Sequence, residues 1–177
     1  MTIRIQKILL PTDFSDLSAT AVKYGCELAA KFGAELHLLH TLELHADSTP
    51  AFGLGLALPN YVSESKAAAE KSLAGVLDPK WSAGRTVIHA VLEGSPTAQI
   101  IRYSRQHDID LIVLSTHGRT GLDKVLYGSV AEKILRKGTF PMLVVRTAIV
   151  PKTHSETVAI HRAGARALKS KMAATRK

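Results

Sequence analysis

The sequence has almost no cysteine and no long apolar run, and each absence excludes a class of protein. Cys26 is the only cysteine among 177 residues, which excludes an internal disulfide framework and a cysteine-based zinc site and fits a reducing compartment. No stretch approaches the roughly 18 consecutive apolar residues of a membrane span. The segment before the first apolar run is too short and too polar for a secretory signal. We therefore expect a cytoplasmic protein without a membrane span.

Positive charge is concentrated in the last part of the chain. Residues 1–146 carry 16 Lys and Arg against 14 Asp and Glu, a balance of +2, whereas residues 147–177 carry 7 against 1, a balance of +6. We therefore predict one domain at 1–146 and a basic C-terminal tail at 147–177, helical or disordered. The tail is typical of a solvated arm or a partner-docking helix. Nucleic acid is the weaker alternative, because its charge favours binding but no aromatic residue is present for base stacking.

Apolar runs that end in turn residues alternate with helical patterns along the domain. Strands are predicted at 3–10, 34–42, 86–92, 109–114 and 142–146, and helices at 15–32, 61–77, 96–107 and 129–137. This alternation predicts a parallel sheet with helices on both faces. The segment at 43–60 is predicted as a long loop, either a surface insertion or a lid. Ligands of such sheets bind at the carboxyl ends of the strands, where strand order reverses.

The stretch from 109 to 130 has the strongest functional pattern. A buried strand ends at Ser115, and a turn containing Gly118 and Gly121 leads to Gly128 and Ser129, where a helix is predicted to begin. Glycine lets backbone N–H groups approach a ligand closely, and a helix N-terminus adds free N–H groups and the positive end of its dipole. The pattern indicates an anion site for phosphate, and the alternative is a tight turn followed by a helix cap.

Asp13 follows the first predicted strand, which stops at Pro11 because proline cannot donate to a ladder. Its place beyond a buried strand predicts an acceptor for a ribose hydroxyl or a metal ion, and the alternative is a second helix cap. The histidines of the next strand, His37 and His40, with His45 beyond it, are not expected to form a metal site. Positions 37 and 40 point to opposite faces of a strand.

Four motifs at matching distances resemble those of the universal stress protein family. They are Pro11-Thr12-Asp13-Phe14-Ser15, Glu93-Gly94-x-Pro96, the run from Ser115-Thr116-His117-Gly118 to Gly128-Ser129-Val130-Ala131-Glu132, and Phe140-Pro141-Met142-Leu143-Val144-Val145-Arg146. The resemblance covers residues 1–146. It implies an open five-stranded parallel sheet of order 3-2-1-4-5 with helices on both faces, a Rossmann-like fold of the adenine nucleotide alpha hydrolase-like type. It also implies a homodimer, paired here through the strand at 142–146.

The resemblance extends to the nucleotide-binding branch, whose signature is Gly-x2-Gly-x9-Gly-Ser/Thr. Gly118, Gly128 and Ser129 match the last three positions, and Ser115 stands in place of the first glycine. The branch implies ATP or a related adenine nucleotide, with Mg or Mn beside the phosphates. We expect binding to survive at Ser115, because serine is small and its hydroxyl can form a hydrogen bond.

The same resemblance assigns ligand contacts to residues of three regions. Asp13 would hold the ribose, the backbone around Thr41 would read the adenine edge, and the glycine turns would hold the phosphates. Arg119 would pair with a phosphate or stay a solvated loop cation. The full set of cofactor-binding candidates is Pro11, Thr12, Asp13, Thr41, Ser115, His117, Gly118, Arg119, Gly128, Ser129 and Val130.

No catalytic residue is assigned, because His117 has no nucleophile and orienting group to complete a catalytic set. Slow hydrolysis of bound ATP is the most that we expect. The leading interpretation is a dimeric stress protein that senses an adenine nucleotide and passes its state to protein partners. The alternative is a stress interaction protein of the same fold without nucleotide. A third, an ATP-dependent ligase or pyrophosphatase, is disfavoured because no Ser-Gly-Gly-x-Asp-Ser loop follows the first strand.

Overall fold

A computed structural model describes residues 3–43, 58–115 and 128–146, with side chains from residue 62 onward in the second range. The chain divides into two units, Met1–Thr147 and Ala148–Lys177, and every described residue belongs to the first. The predicted tail, residues 44–57 of the loop predicted at 43–60, and the segment 116–127 lie outside the described residues. Among the residues that are described, no helix combines the length and the apolar character needed to cross a bilayer.

Strands and helices alternate along the described parts of the chain. The strands are β1 (Lys7–Pro11), β2 (Glu35–Leu42), β3 (Val87–Glu93), β4 (Leu111–Ser115) and β5 (Met142–Val145). The helices are α1 (Asp16–Phe32), α2 (Leu58–Ala74), α3 (Pro79–Ser82), α4 (Pro96–Gln106) and α5 (Ser129–Lys137). All strands pair in parallel, in the order β3-β2-β1-β4-β5. This confirms the predicted α/β fold and its strand order.

The sheet is covered on both faces, because successive side chains of a strand point to opposite sides. In β1, Ile8 and Leu10 pack in one apolar cluster with α1 and α2, whereas Leu9 packs in another with α4 and α5. All three side chains are fully buried. Since burying one such side chain stabilises the fold by about 1.5–3 kcal/mol, the central strand anchors both layers and holds the site-bearing loop beyond it.

Local signals place the ends of the helices that flank the site. Ser15 caps α1 by accepting a hydrogen bond from the Ser18 backbone N–H, and Gly33 ends it with a left-handed backbone of φ 65°. Ser95 precedes α4, with Pro96 at the first helical position. The two helices agree with the predicted ranges 15–32 and 96–107 to within one residue at each end. Phe32, in the last turn of α1, is 47% exposed.

The segment between β2 and β3 differs from the prediction. Helix α2 begins at Leu58, inside the predicted loop, and ends at Ala74 rather than at residue 77. Asp78 then caps the short helix α3, which was not predicted, and its side chain accepts a hydrogen bond of 2.8 Å from the Lys80 backbone N–H. Three apolar residues of this segment, Ala69, Leu73 and Leu77, are nevertheless buried, and Val76 is half-buried.

Candidate functional site

The carboxyl ends of β1 and β4 meet where the strand order reverses. The chain passes from β1 outward to β2 and β3 and then returns to β4 on the other side of β1. The crossovers on the two sides place their helices on opposite faces, which leaves a crevice at this edge of the sheet. Asp13 follows β1 and Ser115 ends β4, so the structure brings these two candidate residues to the same crevice.

The loop after β1 is built from hydrogen bonds within its own motif. The Thr12 backbone N–H donates to the Leu39 carbonyl oxygen at 2.9 Å and so extends the contact with β2 past the end of β1. The Thr12 hydroxyl lies 3.0 Å from the Ser18 hydroxyl and accepts a hydrogen bond of 3.1 Å from the Phe14 backbone N–H. Thr12 is therefore a buried brace between β2, the loop and the first turn of α1.

Phe14 has a strained backbone at the centre of this loop. Its φ is 63°, a left-handed conformation that costs an L-residue roughly 1–2 kcal/mol. The Phe14 ring packs against the ring of His40, with centroids 4.3 Å apart and planes inclined by 31°. Because such strain persists only when neighbouring groups enforce it, these contacts hold the turn that positions Asp13.

Asp13 is half-buried and belongs to the capping arrangement of α1. Its Oδ1 accepts hydrogen bonds from the Ser15 backbone N–H at 3.1 Å and from the Ser15 hydroxyl at 2.6 Å. Both contacts are with Ser15, the residue that caps α1, and not with an N–H group of the helix itself. A carboxylate offers two oxygens and about four acceptor positions, so capping and a ligand contact do not exclude one another.

Thr41 and Ser115 lie at the ends of strands on either side of β1. Thr41 is the penultimate residue of β2 and pairs with Leu92. Ser115 is the last residue of β4 and pairs with Val145. Both are partly exposed. Together with Pro11, which ends β1, they bring the expected adenine, ribose and phosphate positions to one edge of the sheet.

Gly128, Ser129 and Val130 form the start of α5. Helix α5 returns the chain from the end of β4 to the start of the parallel strand β5, so its N-terminus faces the carboxyl edge of the sheet. Gly128 is the N-cap, and its carbonyl oxygen accepts a hydrogen bond of 3.0 Å from the Glu132 backbone N–H. The first N–H groups of the helix have no partner within it, which suits an anion.

The remaining phosphate candidates, His117, Gly118 and Arg119, lie outside the described residues. Of the predicted signature, the described residues therefore include its first position, Ser115, and its last pair, Gly128 and Ser129.

The two histidines of β2 face opposite sides of the sheet, as predicted. His40 contacts the loop after β1, whereas the Nδ1 of His37 lies 2.9 Å from the Tyr103 hydroxyl of α4. The His37 Nε2 lies 2.7 Å from Glu35 Oε1. Burial lowers the pKa of His37 against the opposing pull of the Glu35 carboxylate. His45 lies outside the described residues, within which no group of three His, Cys, Asp or Glu is placed to hold a metal ion.

Sequence reasoning did not identify His40 and Phe14 as parts of the site. In the sequence, His40 stands out only as a candidate metal ligand, and Phe14 only as a member of the motif that contains Asp13. The available signal was position: His40 directly precedes Thr41, and Phe14 directly follows Asp13. No pattern of residue types reveals that an aromatic residue adopts a left-handed backbone, because glycine and asparagine are the residues that usually do so.

This chain is similar to proteins of one family over most of its length. The family model described as "Universal stress protein family" matches residues 4–146. Universal stress protein MJ0531 of Methanocaldococcus jannaschii is 32% identical over 142 residues, which are 80% of this chain and 82% of the relative. Universal stress protein YxiE of Bacillus subtilis is 28% identical over 145 residues, which are 79% of this chain and 98% of the relative.

Solved structures share the fold. The structure of MJ0577, also from Methanocaldococcus jannaschii, has a TM-score of 0.70 and 27% identity, and the match covers 83% of this chain and 99% of that one. A universal stress protein solved in complex with cAMP has a TM-score of 0.57 and 21% identity, with 82% and 99% covered. At 21% identity the second likeness concerns the fold alone.

Proposed function

Because the chain belongs to the universal stress protein family, we propose that it binds ATP or a related adenine nucleotide and acts as a sensor or regulator in a stress response. One observation carries this proposal: Asp13, Thr41, Ser115 and the N-terminus of α5 lie at one carboxyl edge of the sheet, where strand order reverses. A universal stress protein of this fold has been solved with cAMP, so the fold itself can hold an adenine nucleotide.

Each part of the nucleotide has a counterpart at this edge. The backbone around Thr41 would receive the adenine, and the Asp13 carboxylate would accept hydrogen bonds from the ribose hydroxyls. A hydrogen bond to a charged group contributes about 1.5–3 kcal/mol, so Asp13 would favour a ribose over a sugar without hydroxyls. The N–H groups at Ser129 and Val130, after Gly128, would receive phosphate oxygens.

A divalent cation would lie at the phosphate end of the site. The phosphate oxygens and the hydroxyl of Ser129 are oxygen ligands, the type that Mg and Mn prefer. A bound cation would neutralise part of the phosphate charge. The candidates outside the described residues, His117, Gly118 and Arg119, would complete the phosphate loop, with Arg119 as a charged partner. We propose binding rather than turnover, with slow ATP hydrolysis as the upper limit.

Nucleotide binding is tested by two measurements on the purified full-length chain. Denaturation followed by anion-exchange chromatography reports any co-purified nucleotide, and titration with ATP in the presence of Mg or Mn reports saturable binding. Gly118→Val is expected to abolish binding, because the valine side chain would occupy the space in which backbone N–H groups approach the ligand.

Gly75→Val is the matched control for the glycine substitution. Gly75 is exposed after α2, and an added Cβ would meet its first neighbour, the Ser72 carbonyl oxygen, at 3.5 Å, an ordinary contact. This variant is expected to bind ATP as the wild-type chain does. A wild-type chain that neither carries nor titrates nucleotide would overturn the proposal.

The second candidate function is a stress interaction protein of the same fold that binds no nucleotide. The observation that favours it is Ser115, whose Cβ lies at the carboxyl edge where the signature has its first glycine. Like the first candidate, this protein would form a homodimer and bind protein partners, but its crevice would hold no ligand. The same titration separates the two functions.

A further inference from the structure

His40 contacts the loop that carries Asp13 at two points, one on each side of Asp13. Its Nδ1 lies 2.8 Å from the Thr12 carbonyl oxygen, and its ring packs on the Phe14 ring at a centroid distance of 4.3 Å. Because a carbonyl oxygen can only accept a hydrogen bond, the imidazole must carry a proton on Nδ1. One side chain of β2, itself 8% exposed, therefore holds the backbone before Asp13 and the ring after it.

The Phe14 backbone requires this support. Its φ of 63° turns the chain so that Ser15 can cap α1. Relaxation to an ordinary backbone conformation would redirect the Asp13 carboxylate. Two hydrogen bonds form within this turn. The Phe14 N–H donates to Thr12 Oγ1, and the Ser15 N–H donates to Asp13 Oδ1, each at 3.1 Å.

His40 also directly precedes Thr41 on the same strand. It therefore ties the residue proposed to receive the adenine to the loop proposed to hold the ribose. Base and sugar are joined in one ligand, so these two contacts form together at the lowest free-energy cost when their relative placement is set before binding. Preorganisation of this kind raises affinity because the ligand does not have to order the site.

We infer that His40 is a positioning residue for nucleotide binding, which holds Asp13 toward the ribose by clamping Thr12 and Phe14. The inference rests on the proposed function. It assigns His40 no contact with the ligand. The hydrogen bond is the larger part of the clamp, because its loss leaves the Thr12 carbonyl without this donor, whereas the contact of the His40 ring can be replaced by neighbouring packing.

Two substitutions in the full-length chain separate the parts of the clamp. His40→Phe keeps a ring against Phe14 and removes the donor. His40→Asn removes the ring and keeps an N–H donor close to the position of Nδ1. We expect His40→Phe to weaken binding of ATP with Mg about tenfold, and His40→Asn to weaken it less than about threefold. If the phenylalanine variant does not fold, His40→Gln replaces it, because its amide reaches the position of Nε2 rather than Nδ1.

The readout that isolates positioning is the preference for a ribose. The affinity for ATP is divided by that for 2′,3′-dideoxy-ATP, which lacks the hydroxyls that Asp13 would hold. The wild-type chain is expected to prefer ATP about tenfold or more. This ratio should fall toward one in His40→Phe and persist in His40→Asn. His37→Phe is the matched control, a buried histidine of the same strand that contacts Tyr103 instead, and its ratio should stay that of the wild type.

Hydrogen exchange of the Phe14 and Ser15 amides, followed by NMR without ligand, tests the clamp independently of binding. Both amides should exchange about tenfold faster in His40→Phe and at the wild-type rate in His37→Phe. Wild-type exchange in His40→Phe, or a ratio that falls equally in His37→Phe, would overturn the inference. A wild-type chain that binds no nucleotide would overturn the proposed function. The exchange rates alone would then show whether His40 holds the loop that carries Asp13.

Discussion

Ser115 is the residue at which this chain departs from the nucleotide-binding signature. It ends β4 opposite Val145, and its Cβ takes space that glycine would leave to a ligand. Ser115→Gly is therefore expected to strengthen binding of ATP with Mg by about threefold to tenfold. Calorimetric titration of both chains measures the change. A weaker affinity in Ser115→Gly would mean that the serine hydroxyl contributes more to binding than its side chain obstructs.

His37 makes the stability of the chain sensitive to acid. It is 1% exposed, and burial lowers its pKa from 6.5, with His107 and Lys7 acting in the same direction and Glu35 opposing them. As the pH falls, His37 therefore binds a proton at a higher pH in the unfolded chain than in the folded chain. The free energy of unfolding falls as pH drops below about 6.5 toward the lower pKa of the folded state.

The histidine contribution is measured by comparing the wild-type chain with His37→Asn. Thermal unfolding is followed at about pH 7.5 and about pH 5.5, a window that spans the titration of an unfolded histidine. The wild-type chain is expected to lose more of its Tm on acidification than the variant does, since the variant has no proton to take up at this position. Equal losses in the two chains would assign the acid sensitivity to other groups.

At the residue scale, position after a strand predicted that Asp13 and Ser115 lie at the carboxyl edge of the sheet, and the family resemblance added Thr41, but neither predicted how these side chains are held. Asp13 was predicted both as a ligand acceptor and as a helix cap, and the structure shows its hydrogen bonds to Ser15. The clamp of His40 on Phe14 could not be predicted. It depends on a backbone angle and on contact across two strands, neither of which is encoded in local residue types.

Among the elements, α1 and β1 pack unusually closely. Gly25 faces Leu10, and a Cβ added at Gly25 would overlap the Leu10 side chain. Gly25→Ala is therefore expected to lower the free energy of unfolding by about 1–3 kcal/mol as the helix is pushed from the strand, although alanine favours a helix by about 1 kcal/mol. Urea denaturation measures this change.

Gly75→Ala is the control for the close packing of α1. Gly75 is exposed, so the same substitution is expected to change the stability by less than about 0.5 kcal/mol. Because α1 also carries the cap that Asp13 supports, Gly25→Ala should weaken nucleotide binding as well. A Gly25→Ala chain as stable as the wild type would mean that Leu10 adopts another rotamer without cost.

The hydrophobic pattern predicted the elements well where tertiary partners agreed with it. It failed at the start of β1, predicted from residue 3, because the partner strand begins at Glu35, which pairs with Lys7. The Lys7 backbone N–H, like that of Gln6, instead donates to Asp110 Oδ2.

Helix α3 was not predicted, for a different reason. Asp-Pro ends a preceding helix, but an Asp cap followed by Pro equally begins a new one.

For the whole molecule, alternation of strands and helices predicted a parallel sheet, whereas the order of its strands came from the family resemblance. Several orders satisfy the same alternation, because right-handed crossovers restrict the hand of each connection and not its direction along the sheet. The observed order β3-β2-β1-β4-β5 puts β5 at one edge.

The edge strand β5 is the surface through which we expect the homodimer to form. Within the described residues no strand pairs with the outer edge of β5, so its backbone groups can pair with those of a second copy around a two-fold axis. Leu143 is 36% exposed on this strand. Leu143→Lys would place two charges at the symmetric contact, so it is expected to shift the chain from dimer to monomer at micromolar concentration, as measured by sedimentation.

Phe32→Lys is the matched control for the dimer, because Phe32 is an exposed apolar residue of α1 and not of the edge strand. This variant should remain dimeric. The Leu143→Lys monomer should still bind nucleotide, since Asp13, Thr41 and Ser115 lie at the carboxyl edge of the sheet within one copy. A Leu143→Lys dimer would place the interface elsewhere, and a monomer that loses nucleotide would mean that the second copy completes the site.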